Sequence, residues 1–147
     1  MTSWRESASA EAQAEIEGLF DFQLNTATAL LQKNREFYPI AATAAGENIT
    51  PVAVYEGDEH PESAAVIGGL KDILRKTRGE FDAAAIAYDI LVTVDGKKTS
   101  AVCVDLEHKD GICFRLITPY VFKGIINKRI GLGDTVMNAC DKFVWSE

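Results

Sequence analysis

The feature that most constrains this chain is the stretch from Ala83 to Tyr120. Three apolar runs rich in strand-forming residues are separated there by two turns that contain glycine. Apolar side chains recur at every second position, the period of a strand with one buried face. Even positions carry apolar side chains in each run: Ala84, Ile86, Tyr88, Ile90, Val92 and Val94, then Val102, Val104 and Leu106, then Ile112, Phe114 and Leu116. We therefore expect three strands that share one even-numbered core face.

The turn between the second and third runs follows from this parity. A two-residue loop at Asp110-Gly111 would place Leu106 opposite Arg115, whereas a loop of Lys109, Asp110 and Gly111 places Leu106 opposite Phe114. The longer loop is favoured, with Gly111 in the left-handed conformation of a bulged turn. This register pairs Asp105 with Arg115, Glu107 with Cys113 and Cys103 with Ile117.

The turn between the first and second runs, Asp95-Gly96-Lys97-Lys98, leaves two registers that keep the shared parity. One places Asp89 directly opposite Asp105, where like charges repel each other. We therefore favour the register that pairs Asp89 with Cys103.

The rest of the chain predicts helices and a hairpin. Three-and-four spacing predicts a helix from Ser9 to Asn34 that leaves Glu15 off the buried face, and a second from Pro61 to Gly79. The pair Gly68-Gly69 in that second helix indicates a close contact there. Strands at 37–45 and 49–55 flank Gly46-Glu47-Asn48, which predicts a tight turn. After Tyr120, Gly131 and Gly133 favour a loop, and residues 143–145 a short strand or an anchoring tail.

These elements predict one α+β domain over residues 9–147, preceded by a poorly ordered segment over residues 1–8. Its mainly antiparallel sheet has about five strands and carries two helices on one face. The chain order is α-β-β-α-β-β-β followed by an irregular C-terminal tail.

Charge and composition restrict the partners. A net charge of −7 and a pI near 4.9 disfavour nucleic acid and anionic membranes, because like charges repel. No apolar run reaches the roughly 18 residues of a membrane helix, and the acidic N-terminus lacks a signal-peptide core. We expect a cytoplasmic protein.

The three cysteines, Cys103, Cys113 and Cys140, have no metal-ligand spacing, so we expect reduced thiols, no metal and no cofactor.

The odd-numbered face of the sheet is the candidate functional surface. Its residues, with a histidine at the adjoining turn, are Asp89, Leu91, Cys103, Asp105, Glu107, His108, Arg115 and Ile117. Several carboxylates near one cation can tune acid–base chemistry, although a sheet with one wet face produces the same pattern without catalysis. We assign no catalytic residue. His60 and His108 would bind a metal only if the fold brought them together.

A basic stripe is predicted on the second helix, where Lys71, Arg75 and Arg78 repeat at helical spacing. This pattern is typical of a solvated helix face near a C-terminus, and it also suits an anion site or a patch for a partner.

Two resemblances extend this interpretation. The order of helices and strands over residues 9–120 is similar to the roadblock, longin and profilin type of domain, and the roadblock likeness implies a homodimeric regulatory or scaffolding module. A second resemblance lies in four segments: Phe37-Tyr38-Pro39 with Ala41-Ala42, Ala85-Ile86-Ala87-Tyr88-Asp89, Leu106-Glu107-His108-Lys109-Asp110-Gly111 and Pro119-Tyr120. In these segments the chain resembles a group of small bacterial proteins of unassigned function.

We expect a non-enzymatic interaction or regulatory module that forms a homo-oligomer and that another protein could also bind. Apolar residues on the odd-numbered face favour this hypothesis, because a fully wet surface would not hold them. One alternative is a small-molecule-binding protein or enzyme that uses the polar sheet face. Another is an acidic inhibitor, of the immunity-protein type, that masks a basic partner.

Overall fold

The computed structural model describes residues 4–52, 62–124, 126 and 129–146. Their elements in chain order are α1 (Trp4–Ser7), α2 (Ala10–Asn34), β1 (Ile40–Ala45), β2 (Asn48–Val52), α3 (Ser63–Lys76), a 3-10 turn (Arg78–Glu80), β3 (Ala83–Val94), β4 (Lys97–His108), β5 (Ile112–Lys123), β6 (Arg129–Leu132) and β7 (Val136–Ala139). The α+β class and the antiparallel sheet are confirmed. His60, the predicted helix start at Pro61 and the predicted strand end at Tyr55 lie outside the described residues.

The long helix α2 has the predicted extent. Ser9 caps it by accepting the Ala12 N–H at 3.1 Å, and the chain leaves it through Arg35 in the left-handed conformation. Gln23 is buried on its sheet-facing side and donates to the carbonyls of Ile40 and Ala85 at 3.0 and 3.1 Å. This one side chain therefore ties the helix to both β1 and β3.

Within the described residues, the sheet has seven strands rather than about five. Its order is β2-β1-β3-β4-β5-β6, and β7 also pairs with β5. The two extra strands come from the region where Gly131 and Gly133 had favoured a loop. They divide the outer edge of β5, with β7 along residues 114–117 and β6 along residues 120–123. A 12-residue strand offers unpaired backbone groups along its whole edge, so two short strands can pair with it end to end.

The two main helices lie on opposite faces of the sheet, which corrects the expectation of one shared face. The first face packs on α2 and is called the α2 face; the second packs on α3 and is called the α3 face. The reason is visible in β1 and β3, which are buried on both sides. Ala42 and Ala85 contact the cluster of α2, whereas Ala41 and Ala84 contact the cluster of α3. Small side chains on both parities allow a helix to approach either face.

The β4–β5 hairpin has the predicted register. Leu106 pairs with Phe114 and Asp105 pairs with Arg115. Gly111 adopts a φ of 96° and donates its N–H to the His108 carbonyl at 3.0 Å. The three-residue loop is therefore confirmed.

The β3–β4 hairpin differs from the prediction by one residue. Its loop is the dipeptide Asp95-Gly96, and both residues have positive φ, 50° and 77°. This is the geometry that Asp-Gly favours in tight hairpins because its twist matches that of the strands. Asp89 consequently pairs with Val102 instead of Cys103. The one-residue shift moves every odd-numbered side chain of β3 to the α2 face.

The close contact expected in α3 is not found at Gly68. An added Cβ there would meet no described atom within 4 Å.

The described part of the N-terminus, residues 4–7, forms one helical turn. The Trp4 ring packs on Phe114 with centroids 5.1 Å apart.

Candidate functional site

The structure divides the predicted functional face into two groups. Five of its residues share the α3 face: Cys103, Asp105, Glu107, Arg115 and Ile117. The other three, Asp89, Leu91 and His108, lie on the α2 face. Asp89 and Leu91 lie there because the β3–β4 loop is shorter than predicted. His108 lies there because it is an even-numbered residue of β4.

Asp105 is the centre of the α3-face group. Its carboxylate accepts two hydrogen bonds from Arg115, at 2.6 Å from Nε and 3.1 Å from Nη2. The Tyr88 hydroxyl donates a third at 2.9 Å. Hydrogen bonding to Asp105 raises the pKa of Arg115, and burial raises the pKa of Tyr88. A buried carboxylate that accepts a bidentate guanidinium and a phenol is held in place and has little capacity left to accept a substrate proton.

Cys103 lies beside this group and is unsuited to nucleophilic chemistry. The side chain is buried, with its sulfur 3.7 Å from Asp105 Oδ1. Burial raises the pKa of the thiol to about 12. Since the thiolate is the nucleophile, this cysteine is inert at neutral pH.

Glu107 binds the C-terminal segment, by which we mean residues Cys140 to Ser146. Its carboxylate accepts the backbone N–H groups of Phe143, Val144 and Trp145 at 2.7, 2.8 and 3.0 Å. The glutamate is 1% exposed, and three converging N–H donors compensate for the loss of its hydration. The prediction of an anchoring tail is confirmed, and the anchor is a backbone-binding carboxylate.

The basic stripe binds the same segment. Arg75 donates to the Phe143 carbonyl at 2.9 Å and to Ser146 Oγ at 3.0 Å. Arg78 donates to the carbonyls of Val144 and Ser146 at 3.2 and 3.4 Å. The third residue, Lys71, is half-buried on α3. A hydrogen bond from Cys113 is the main cause that lowers the pKa of Cys140, and the charge of Lys71 adds to it. Two of the three predicted patch residues therefore hold the chain's own C-terminal segment.

His108 pairs with Glu15, a residue that sequence reasoning placed off the buried face of α2. Its Nε2 lies 3.0 Å from Glu15 Oε1, and both side chains are buried. Glu15 also accepts the Gly46 N–H at 2.9 Å. His108 Nδ1 accepts the Asp110 N–H at 3.1 Å, so the ring proton lies on Nε2. Helical spacing could have predicted that Glu15 is buried. It stands three residues after Ala12 and four before Leu19, both of which are buried on the same helix face.

A groove adjoins this pair, between α2 and the β1–β2 turn. The volume of this groove is about 510 Å³. Five small or apolar residues and three glutamates line it: Ala10, Glu11, Ala14, Glu15, Gly18, Gly46, Glu47 and Ile49. Both Glu15 oxygens are already bonded within the chain, so the groove offers shape and apolar surface more than reactive groups.

Asp89 contacts Tyr120 on the α2 face. The Tyr120 hydroxyl donates to both carboxylate oxygens, at 2.9 and 3.0 Å. Partial burial raises the pKa of Asp89, and this hydrogen bond opposes the rise. Burial and the same hydrogen bond raise the pKa of Tyr120 to about 12. Leu91, two residues further along β3, is 68% exposed.

Within the residues that the structure describes, no three His, Cys, Asp or Glu side chains come together as a metal site. No helix in the same part of the chain is both long and apolar enough to cross a membrane.

Comparison of the chain with protein-family models, with curated proteins and with solved structures gave no match. The resemblances to roadblock-type domains and to small bacterial proteins therefore stay predictions.

Proposed function

We propose that this chain is a non-enzymatic interaction module that self-associates through the outer half of its α3 face. The observation that carries the proposal is an apolar surface on that face whose residues are half-buried or exposed. It is called the distal patch and consists of Ile90, Val92, Val94, Pro119 and Val121.

The register brings the distal patch together. Ile90, Ala101 and Pro119 lie side by side across β3, β4 and β5. Continuing the pairing by two residues places Val92, Thr99 and Val121 in the next row. Val94 and Val121 are 41% and 48% exposed. Among the described residues, α3 packs on β1 and the first half of β3, so it does not cover this end of the sheet.

A second copy of the chain is the occupant that we infer. In a two-fold contact the same patch faces itself, so an apolar row along a sheet can bury itself without a second specialised surface. The neighbouring edge residue Gly131 pairs with Val121, and the flexible end of the Lys123 side chain lies over it. A chain of net charge −7 repels its own copy at long range, and added salt should therefore strengthen the contact.

The state of the polar residues supports a binding role over catalysis. Asp105, Glu107 and Glu15 each accept their hydrogen bonds from groups of the same chain. Catalytic acids and bases need a proton-transfer position that a substrate can reach. These carboxylates instead stabilise the sheet, the C-terminal segment and the turn.

The experiment compares two substitutions in the same sheet, one on β5 and one on β3. Val121→Lys places a charge in the distal patch, whereas Leu91→Lys places the same charge on the α2 face. Light scattering at a fixed micromolar concentration should give a dimer for the wild type and for Leu91→Lys, and a monomer for Val121→Lys. A dimer that survives Val121→Lys but not Leu91→Lys would contradict the proposed face.

A further inference from the structure

Cys113 and Cys140 are brought together by the pairing of β5 with β7. Phe114 pairs with Ala139 and Arg115 with Asn138, so one further step in the same register places Cys113 opposite Cys140. Directly opposed residues of antiparallel strands have Cα atoms about 4.5–5.5 Å apart. That distance lies within the range of about 4.4–6.8 Å over which disulfides form.

The surroundings of the two thiols are those of a pair that can react. Both cysteines are free and half-buried, and both pack against the cluster that contains Phe143 and Val144. Partial exposure leaves a route for a small reagent, which a fully buried cysteine lacks. Cys103, by contrast, is 0% exposed and stands on β4 opposite Ile117.

The two thiols differ in their ionisation. A hydrogen bond from Cys113 is the largest influence that lowers the pKa of Cys140, and the charges of Arg115 and Lys71 act in the same direction. The hydrogen bond to Cys140 and burial raise the pKa of Cys113. An unequal pair of this kind supplies one attacking thiolate and one resolving thiol.

We propose that Cys113 and Cys140 form a reversible intramolecular disulfide by exchange with a low-molecular-weight disulfide such as oxidised glutathione. The Cys140 thiolate attacks one sulfur of the reagent, forms a mixed disulfide and releases glutathione thiolate. Cys113 gives its proton to that thiolate and attacks the Cys140 sulfur, which releases the second glutathione as a thiolate that is protonated from solvent. The two protein thiols lose two electrons in total, and one glutathione disulfide becomes two glutathione thiols.

The disulfide would fix the start of the C-terminal segment to β5. Glu107, Arg75 and Arg78 hold the later residues of this segment. The Cys140 thiol makes weaker contacts, with the Asp141 carbonyl at 3.4 Å and with the Cys113 thiol. A covalent bond there closes a loop that contains β6 and β7, and it restricts the unfolded chain. The two cysteines lie outside the distal patch, so disulfide formation does not depend on self-association.

The primary test uses the wild-type protein in buffers of graded reduced and oxidised glutathione at neutral pH. After unfolding and alkylation, trypsin separates the three cysteines into peptides Asp110–Arg115, Ile130–Lys142 and Thr99–Lys109. Mass spectrometry should find the first two joined by a disulfide in oxidising buffer and separate in reducing buffer. The third should remain alkylated throughout, and Cys103→Ser should behave as the wild type. Failure to find the joined peptides at the most oxidising ratio, or a link that includes Cys103, would overturn the inference.

A second test addresses the order of attack. In Cys113→Ser, glutathione should remain trapped on Cys140, whereas in Cys140→Ser its addition to Cys113 should be slower by about tenfold or more. Equal rates would overturn the assignment of Cys140 as the attacking thiol. Oxidation should also raise the Tm of the wild type by roughly 5–10 °C, and it should leave the Tm of Cys113→Ser unchanged. A wild-type Tm that does not rise on oxidation would contradict the restraint.

Discussion

Asp105 and Arg115 face each other across β4 and β5 and are joined by two hydrogen bonds, with the carboxylate almost completely buried and the guanidinium about one-third exposed. Arg115→Ala would leave that carboxylate with the Tyr88 hydroxyl as its remaining strong donor. We expect a loss of about 1–3 kcal/mol in the free energy of unfolding, less than for a fully buried pair because water reaches the guanidinium. Urea unfolding measures the loss.

The matched control for that substitution is Arg5→Ala. Arg5 pairs with Glu17 at 3.0 Å, both side chains are about half exposed, and the Arg5 guanidinium lies over the Trp4 ring at 4.8 Å. Exposed ion pairs and exposed cation–π contacts each contribute about 1 kcal/mol or less, so this variant should lose less stability than Arg115→Ala does. Equal stability of both variants would refute a structural role for Asp105 and Arg115.

The Asp105–Arg115 pair was predictable from the sequence, and its neighbours show why other contacts were not. The alternation in β4 and β5 has one apolar parity, and Gly111 selects the loop, so the register follows. In β3 the run Ala83 to Ala87 is buried on both faces, and alanine on both parities gives no sign of the core side. The Asp95-Gly96 turn would have resolved this, because its residues favour a two-residue loop.

The buried polar contacts were less predictable because they join distant parts of the chain. Glu107 was recognised as a strand residue, but its ligands are backbone N–H groups of the C-terminal segment, and nothing in the local sequence identifies them. The pair of Glu15 and His108 likewise joins α2 to the β4–β5 turn. Spacing on the helix could have placed Glu15 inward, but its partner depends on the tertiary arrangement.

The anchoring role of Glu107 predicts the behaviour of the C-terminal segment. Glu107→Gln replaces one acceptor oxygen with an amide that donates, and this amide would face a backbone N–H group. We expect a loss of about 1–3 kcal/mol and faster cleavage by trypsin after the exposed Lys142. Limited proteolysis followed by mass spectrometry detects the loss of residues 143–147.

Glu80→Gln is the control for this substitution because Glu80 is exposed in the 3-10 turn. Its cleavage rate should equal that of the wild type. If Glu107→Gln also showed the wild-type rate, the three N–H contacts could not be what holds the segment.

The buried contact between Glu15 and His108 predicts a second sensitive glutamate. In Glu15→Gln the amide oxygen can accept from His108 Nε2, but the amide nitrogen then faces the Gly46 N–H, so two donors oppose each other. We expect a loss of about 1–3 kcal/mol. Glu11→Gln, one turn earlier on the same helix and exposed, should change the stability by less than about 0.5 kcal/mol. Equal effects from the two substitutions would contradict the buried contact.

Substitution by alanine should change the stability of the protein in opposite directions at two glycines. Gly96 has a φ of 77° in the Asp95-Gly96 turn, and an L side chain there costs about 1 kcal/mol or more. Gly68 lies within α3 with space around its Cα, and alanine at that position should stabilise the protein by about 0.5–1 kcal/mol. Thermal unfolding should show a lower Tm for Gly96→Ala and a higher Tm for Gly68→Ala. A higher Tm for Gly96→Ala would rule out the positive-φ turn.

Tyr120 predicts how stability changes in alkaline solution. Its pKa is raised from 10.0 to about 12 in the folded chain, mainly by burial and then by the hydrogen bond to Asp89. Above pH 10 the unfolded chain loses this proton before the folded chain does. The stabilising contribution is therefore complete below pH 10 and is lost as the pH rises toward 12. In Tyr120→Phe the fall in unfolding free energy across this range should be smaller, and an unchanged fall would contradict the assignment.

The central claim is that the distal patch joins two copies of the chain. Sedimentation of the wild-type protein over a micromolar concentration series measures this directly. We predict a reversible monomer–dimer equilibrium that shifts toward the dimer as salt is added, because screening weakens the repulsion between chains of net charge −7. A strict monomer across the whole series, at both low and high salt, would contradict the claim.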